Sequence, residues 1–154
     1  MPVPELLVKN LKVSFSTSKK ELIAVRGISY QLNQGEILAL VGESGCGKTV
    51  SALSILRLIQ EPPGKIVSGE ILFGGKDLLK LKKNELQDLR GKDIAMIFQD
   101  PMTSLNPVLT IGEQIIETLL RHTSLSRKKA REKSFRLLEQ VEIPSPMQKL
   151  DQYP

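Results

Sequence analysis

The sequence is short of the features on which several classes of protein depend. Its 154 residues include one cysteine, Cys46, which excludes an internal disulfide and favours a reducing compartment such as the cytosol. It has no apolar run of about 18 residues or more, so we do not expect the chain itself to span a membrane. Its N-terminus, MPVPELLVKN, lacks the charged and then apolar pattern of a secretory signal, and we expect no export.

Aromatic residues are also scarce, at 4% of the chain, and this limits what the positive charge can mean. The net charge is +5, which could suggest a nucleic acid or an anionic lipid as a partner, and much of the excess lies in RKKAREK (127–133). No aromatic side chain interleaves with these charges, as a surface that stacks nucleic-acid bases would need. The run is therefore interpreted as a solvated helix face, and no nucleic-acid partner is expected.

The hydrophobic pattern predicts an α/β region up to residue 101, followed by a helical region over residues 102–154. Short continuous apolar runs predict strands buried in a parallel sheet, whereas alternating runs and a Gly-Gly turn predict hairpins. Thr110 and Ser126 stand where helix N-caps are expected. The predicted strands are 5–15 (with a turn near Asn10), 24–33, 37–41, 69–79 (with a turn at Gly74-Gly75) and 93–99, and the predicted helices include 50–60 and 82–91.

A glycine-rich segment follows the predicted strand 37–41 and fits the phosphate-loop pattern G-x-x-x-x-G-K-[ST]. Glycines let successive backbone amides point at phosphate oxygens, and the start of the next helix adds its positive dipole end. Lys48 would reach the β- and γ-phosphates, and the Thr49 hydroxyl would be a magnesium ligand. A chance glycine-rich turn is the alternative. The predicted nucleotide-binding residues in this segment are Gly42, Glu43, Ser44, Gly45, Cys46, Gly47, Lys48, Thr49 and Val50.

Several classes of enzyme share this loop, and the motifs present separate them. A GTPase of the usual kind needs an N-K-x-D motif, which the chain lacks. A small-molecule kinase would carry lid arginines, for which KKNELQDLRG (82–91) is only a vague candidate. The segment that separates these classes of enzyme is IAMIFQDPMTSLNP (94–107). Its apolar run ends in Gln99 and Asp100 and leads into the helical region.

Together, GESGCGKT and IFQDPMTSLNP resemble the phosphate loop and Q-loop of ATP-binding-cassette (ABC) transporter ATPases. The resemblance is closest to ATPase subunits of oligopeptide, dipeptide and nickel importers. The opening LLVKNLKVSF, the hairpin GEILFGGKDLL and the helix IGEQIIE also resemble that family, so the likeness covers essentially the whole chain. It implies the fold of a phosphate-loop NTPase, an α/β core with an N-terminal antiparallel β part, an incomplete sheet and the start of a helical subdomain.

The resemblance also implies roles for individual residues. Phe15 matches the aromatic residue that stacks on adenine, with an ordinary core phenylalanine as the alternative. Gln99 matches the glutamine that contacts magnesium and the attacking water and senses the membrane subunits, so with Lys48 it is a predicted catalytic residue. Asp100 is interpreted as a turn residue. The predicted docking groove for a membrane subunit contains Met102, Ser104, Leu105 and Pro107.

In such a family member, the cofactors are ATP and Mg²⁺, and the protein lies peripherally on the cytoplasmic face of the inner membrane. Its partners are the membrane subunits, a second ATPase subunit (the same or a different chain) and, indirectly, a solute-binding protein. It would couple ATP hydrolysis to uptake of peptides or related small solutes.

The family's signature sequence and its Asp-Glu strand, which supplies the general base, are not found in this chain. DQYP (151–154) resembles the residues just before the signature. We therefore expect an N-terminal part of the ATPase that binds ATP but lacks turnover. A non-catalytic nucleotide-binding fragment is the alternative function, and a stand-alone kinase is disfavoured by the Q-loop.

Overall fold

The structure is a computed structural model, and it describes residues 4–18, 20–99 and 104–154. The chain divides into two compact units, Met1–Leu86 and Gln87–Pro154. The predicted boundary between residues 101 and 102 lies outside the described residues and stays a prediction. In chain order the elements are β1 (Leu6–Ser16), β2 (Glu21–Leu32), α1 (Lys48–Ile55), β3 (Gly64–Phe73), β4 (Lys76–Asp77), α2 (Lys83–Leu89), α3 (Ile111–His122), α4 (Arg127–Gln140) and α5 (Pro146–Leu150).

The first unit is built on an antiparallel sheet with the strand order β2-β1-β3-β4. β1 lies in its middle because it pairs with both β2 and β3, and its side chains Val8, Leu11 and Val13 are fully buried. The pairing shifts register next to Asn10, whose φ of 46° is a left-handed value that asparagine tolerates better than most residues. The predicted antiparallel part is therefore confirmed, whereas the predicted turn near Asn10 is a bulge within one continuous strand.

The tight turn between β3 and β4 is formed by Gly74 and Gly75, with φ angles of 52° and 80°. Two consecutive left-handed residues are what a two-residue hairpin turn of the favoured type requires, and glycine adopts them without steric cost. The predicted Gly-Gly hairpin is confirmed. β4 is only two residues long, and Leu78, which follows it, is fully buried.

Helix α1 is shorter than predicted, because it ends at Ile55 instead of continuing to residue 60. Leu56 is the C-cap, and Arg57 has a φ of 50°, which leaves the helical region before the prolines at 62 and 63 are reached. The backbone therefore leaves the helix at Arg57 and not at the prolines.

The two predicted buried strands, 37–41 and 93–99, are wrong for this structure. Neither segment forms a strand, and Ile37, Val41 and Ile97 are 97%, 92% and 97% exposed. The only strand-like pairing recorded near the second segment is the parallel bridge between Arg90 and Ile94. An apolar run forms a strand only where neighbours pair its backbone and cover its side chains, and the described residues of each unit supply neither.

The second unit is helical, as predicted, and its helix starts are confirmed. Thr110 accepts from the Glu113 amide while the Glu113 carboxylate accepts from the Thr110 amide, which is a capping box. Ser126 caps α4 by accepting from the Lys129 amide. α3 packs closely on α5, since a Cβ atom at Gly112 would lie 2.7 Å from the carbonyl oxygen of Leu150. α5 itself was not predicted.

The packing between these helices uses small and apolar side chains. Buried residues of α3, α4 and α5 form the core of the unit, and they are Gly112, Ile116, Ala130, Ser134 and Leu150. Of the helices in the described ranges, none has the length and apolar character needed to cross a membrane.

Candidate phosphate-binding site

The phosphate-loop segment, residues 42–49, curls through two glycines in the left-handed region. Gly45 has a φ of 81° and Gly47 a φ of 95°. At Gly47 the need for glycine is also steric, because a Cβ atom there would lie 2.5 Å from the carbonyl oxygen of Ala24 in β2. Only glycine therefore fits at this position, and its missing Cβ lets the loop lie close to β2.

The loop leads directly into α1, whose N-cap is Gly47. No side chain caps this helix end, and the first turn is closed by the Ser51 amide, which donates to the Gly47 carbonyl at 2.8 Å. The first turn also contains no acidic residue. A helix N-terminus without a side-chain cap or a nearby carboxylate has free amide donors and a positive dipole end, which favour an anion.

The Lys48 side chain folds back over the loop. Its ammonium donates to the carbonyl oxygens of Gly42 at 2.6 Å and Glu43 at 2.7 Å. It also lies 3.5 Å from the Cys46 sulfur. The positive charge is thus held above the loop by two neutral acceptors, with no acidic side chain that an incoming phosphate would have to displace.

Cys46 contributes to the inner surface of the loop. A Cβ atom at Gly42 would lie 2.7 Å from the Cys46 sulfur, so the thiol fills space beside the first glycine. Cys46 is exposed, as are Glu43, Ser44 and Thr49. The hydroxyl of Thr49 is therefore open to solvent at the start of α1, where the phosphate-loop pattern expects a magnesium ligand.

A hydrogen bond that the sequence did not reveal fixes α1 to the sheet. The hydroxyls of Tyr30 in β2 and Ser51 in α1 lie 3.2 Å apart, and Ser51 is buried. Because Ser51 is one turn beyond Gly47, this contact positions the first turn of the helix. Nothing in the spacing of the two residues, 21 positions apart, signals the pair.

Next to the loop lies a cavity of about 570 Å³ within the first unit. One wall is the loop itself, from Gly45 to Lys48, and another is β2. The apolar residues that line it are Leu22, Ile23, Ala24, Val25, Ile28, Leu40 and Val41. The cavity places apolar surface directly beside the predicted phosphate contacts.

Phe15, the predicted adenine-stacking residue, lies near the end of β1. It pairs in register with Leu22 of β2 and Gly64 of β3 and is half-buried. A Cβ atom at Gly64 would lie 3.0 Å from its ring, so the glycine makes room for the aromatic side chain. Contact with a base stays a prediction.

The predicted Q-loop residues belong to the second unit. Gln99 is exposed and so are Ser104, Leu105 and Pro107, with Leu105 at 44%. Asp100 and Met102 lie outside the described residues. The exposure of the others leaves them open to a partner, and their roles stay predictions.

The segment after the Q-loop is held by a residue that sequence reasoning missed. The side-chain oxygen of Gln114 in α3 accepts from the Asn106 amide at 2.9 Å. Its nitrogen donates to the carbonyls of Asn106 at 3.0 Å and Leu109 at 3.1 Å. Gln114 thus fixes residues 106–109 to α3, and its place in the first turn of a helix that follows a polar loop was the available signal.

No group of three or more His, Cys, Asp or Glu side chains suited to a metal ion occurs in the described ranges. A metal at this loop would therefore depend on the Thr49 hydroxyl and on oxygens brought by a phosphate ligand. This is the usual state of magnesium in nucleotide sites, where the ion keeps several waters and is bound through substrate phosphates.

The chain is similar in sequence to known transport proteins. The family profile described as ABC transporter matches residues 25–153. The chain is 50% identical over 149 residues to the oligopeptide transport ATP-binding protein OppD of Bacillus subtilis, which covers 97% of this chain and 42% of that protein. It is 51% identical over 149 residues to the dipeptide transport ATP-binding protein DppD of the same organism, with 97% and 44% covered.

The chain therefore spans less than half the length of these curated relatives. The glutathione import ATP-binding protein GsiA of Escherichia coli O157:H7 is 42% identical over 154 residues, which are 97% of this chain and 25% of that protein.

Among solved structures, the ATP-binding cassette MJ0796, a dimer in a post-hydrolysis state bound to ADP and phosphate, aligns with a TM-score of 0.76. The sequences are 21% identical, and the alignment covers 97% of this chain and 61% of that one. This likeness shows the fold. The predicted class, a phosphate-loop NTPase core with an antiparallel β part, an incomplete sheet and helices, is confirmed.

Proposed function

The chain belongs to the ABC transporter family, and from that premise we propose that it is the nucleotide-binding portion of an importer ATPase for peptides or related small solutes. The observation that carries the proposal is the loop at the start of α1. Gly45 and Gly47 shape it, its helix end is uncapped, and the Lys48 ammonium rests on two carbonyl oxygens. Each of these features suits a polyphosphate.

The residues present fit ATP with magnesium. Backbone amides of the loop and of the first turn of α1 would bind the phosphates, and Lys48 would move from the Gly42 and Glu43 carbonyls onto phosphate oxygens. The Thr49 hydroxyl would hold magnesium, which neutralises phosphate charge when it is bound. Phe15 would contact the adenine, and Gln99 would reach the metal and the attacking water.

Peptides are proposed as the solute class because the relatives named for oligopeptide and dipeptide transport match over nearly the whole chain. The relative named for glutathione import fits the same class. The proposed location is the cytoplasmic face of the inner membrane. There, the loop that contains Ser104, Leu105 and Pro107 would dock onto a membrane subunit, and a second ATPase subunit would complete the nucleotide site.

For this chain alone we propose binding without turnover. The described residues contain no group of three or more His, Cys, Asp or Glu side chains suited to a metal ion, and the sequence contains no apolar run of four followed by an acid pair that could supply a general base. A non-catalytic nucleotide-binding fragment is therefore the second candidate. An ATPase rate that exceeds background and disappears in Lys48→Ala would refute it.

The deciding experiment is a titration of the chain with a fluorescent ATP analogue in the presence of magnesium. Lys48→Ala should weaken binding by about tenfold or more, since a charge-assisted hydrogen bond contributes about 1.5–3 kcal/mol. Lys65→Ala, which removes an exposed lysine of β3, is the matched control and should bind like the parent. Equal binding by the parent and Lys48→Ala would reject the phosphate-loop assignment.

A further inference from the structure

The second unit carries most of the chain's excess positive charge on one helix. Within α4, six lysine and arginine residues stand against two glutamates, a net +4 out of the chain's +5. The cations are Arg127, Lys128, Lys129, Arg131, Lys133 and Arg136, and the carboxylates are Glu132 and Glu139. The distribution of their partners places five of these cations in two groups, and the sixth, Lys128, is exposed and belongs to neither.

Cations that point toward neighbouring helices are paired. Arg131 makes two contacts with the Asp151 carboxylate, at 2.8 and 2.9 Å, and Arg127 lies 3.9 Å from Glu113. Their acids come from the segment after α5 and from α3, so the charges are neutralised inside the unit. These two arginines take part in the packing of the helices.

Lys129, Lys133 and Arg136 form a second group, here named the basic face. Their spacing of four and three residues places them on one side of α4, away from the buried Ala130 and Ser134. All three are exposed, and within the part of the chain that the structure describes they form no ion pair. The basic face therefore presents three uncompensated charges to the surroundings.

Apolar side chains lie among these charges. A shallow groove of about 390 Å³ is lined by the basic face together with Leu125, Leu137, Glu132 and Gln140. Leu137 is 37% exposed, and Leu125 is half-buried. Glu132 is the one carboxylate in this groove, so its net charge stays positive.

We propose that the basic face of α4 binds the surface of a bilayer that contains anionic phospholipids. Cations at helical spacing complement the headgroups, and the side chains of Leu125 and Leu137 beside them suit the boundary with the acyl chains. A nucleic acid is a poorer match, because no exposed aromatic side chain lies in the groove to stack on bases. This contact goes beyond the proposed nucleotide chemistry, which does not require it.

The test is co-sedimentation with vesicles of phosphatidylglycerol and phosphatidylcholine in equal parts, against vesicles of phosphatidylcholine alone. The triple variant Lys129→Gln/Lys133→Gln/Arg136→Gln should lose about tenfold or more in partitioning onto the anionic vesicles, since each cation near such a surface contributes a factor of roughly five. The control Lys65→Gln/Lys76→Gln/Lys92→Gln removes three exposed lysines elsewhere and should bind within about twofold of the parent.

Binding by the parent should also weaken as salt rises, because exposed charges are screened over about 8–10 Å near physiological ionic strength. Far-UV circular dichroism verifies that both triple variants keep the helices. The proposal fails if the parent does not bind anionic vesicles, if neutral vesicles bind as well, or if both triple variants lose binding equally. Because no nucleotide is present, these outcomes are independent of the phosphate-loop test.

Discussion

Two segments of the first unit that the sequence predicts as strands, β1 and residues 37–41, have opposite surroundings. β1 pairs on both sides, and Val8, Leu11 and Val13 have no exposed surface. In the other segment, Ile37 is 97% exposed and Val41 is 92% exposed. The difference teaches that an apolar sequence specifies burial only together with the strands or helices that cover it.

The largest expected effect comes from truncating a buried side chain of β1. Leu11→Ala should lower the free energy of unfolding by about 2–5 kcal/mol, because it leaves a cavity in a fully buried core. Ile37→Ala, the matched change at an exposed position, should cost about 0.5 kcal/mol or less. Urea unfolding followed by circular dichroism measures both, and equal losses would contradict the contrast.

A smaller effect is expected at the polar boundary of the same sheet. Partial burial alone would raise the pKa of Asp77, but hydrogen bonds from the Lys80 ammonium at 2.9 Å and the Leu79 amide at 3.1 Å together hold it below the ordinary value of 3.8. A lowered pKa means that the carboxylate stabilises the folded state above about pH 4 and that this contribution is lost as the pH falls through the folded pKa.

Asp77→Asn should therefore reduce the free energy of unfolding by about 1 kcal/mol at pH 7, and the deficit should be smaller at pH 3, below the ordinary pKa of 3.8. Unfolding in urea at both pH values measures it. Lys76→Asn, at the exposed neighbour, is the control and should show no such pH dependence. A deficit that grows as the pH falls would contradict the assigned partners.

The hydrogen bond between Tyr30 and Ser51 joins β2 to α1 next to the phosphate-loop segment, where buried Ser51 follows the exposed residues 42–46. Tyr30→Phe should cost about 0.5–1.5 kcal/mol, since one net hydrogen bond is lost. Tyr153→Phe, the same change at a tyrosine that is 63% exposed, provides the reference. If Tyr30→Phe leaves both unfolding and nucleotide binding unchanged, the contact does not position α1.

The smallest global effect is expected at Gln114, which holds residues 106–109. Gln114→Ala should change the free energy of unfolding by about 0.5 kcal/mol or less but speed hydrogen exchange of the Asn106 amide, because that donor loses its acceptor. The amide of Ile116 inside α3 should keep its protection. An unchanged exchange rate at Asn106 would show that the loop does not depend on Gln114.

Much of the fold followed from local chemistry in the sequence. The Gly74-Gly75 turn and the caps at Thr110 and Ser126 are confirmed because each depends on residues that are close along the chain. The strands 37–41 and 93–99 were wrong because their burial depends on distant neighbours. Helix α5 escaped prediction because five residues carry too little periodicity.

By itself, the sequence determined the phosphate-loop pattern and the family. Glycine, lysine and threonine at fixed spacing set the local backbone conformation and charge, and neither depends on residues far away in the chain. Only the tertiary structure decided which apolar runs are covered, how Tyr30 fixes α1 and where Gln114 holds its loop. These contacts join residues whose separation along the chain carries no local signal. Their strength depends on burial and distance, which the fold sets.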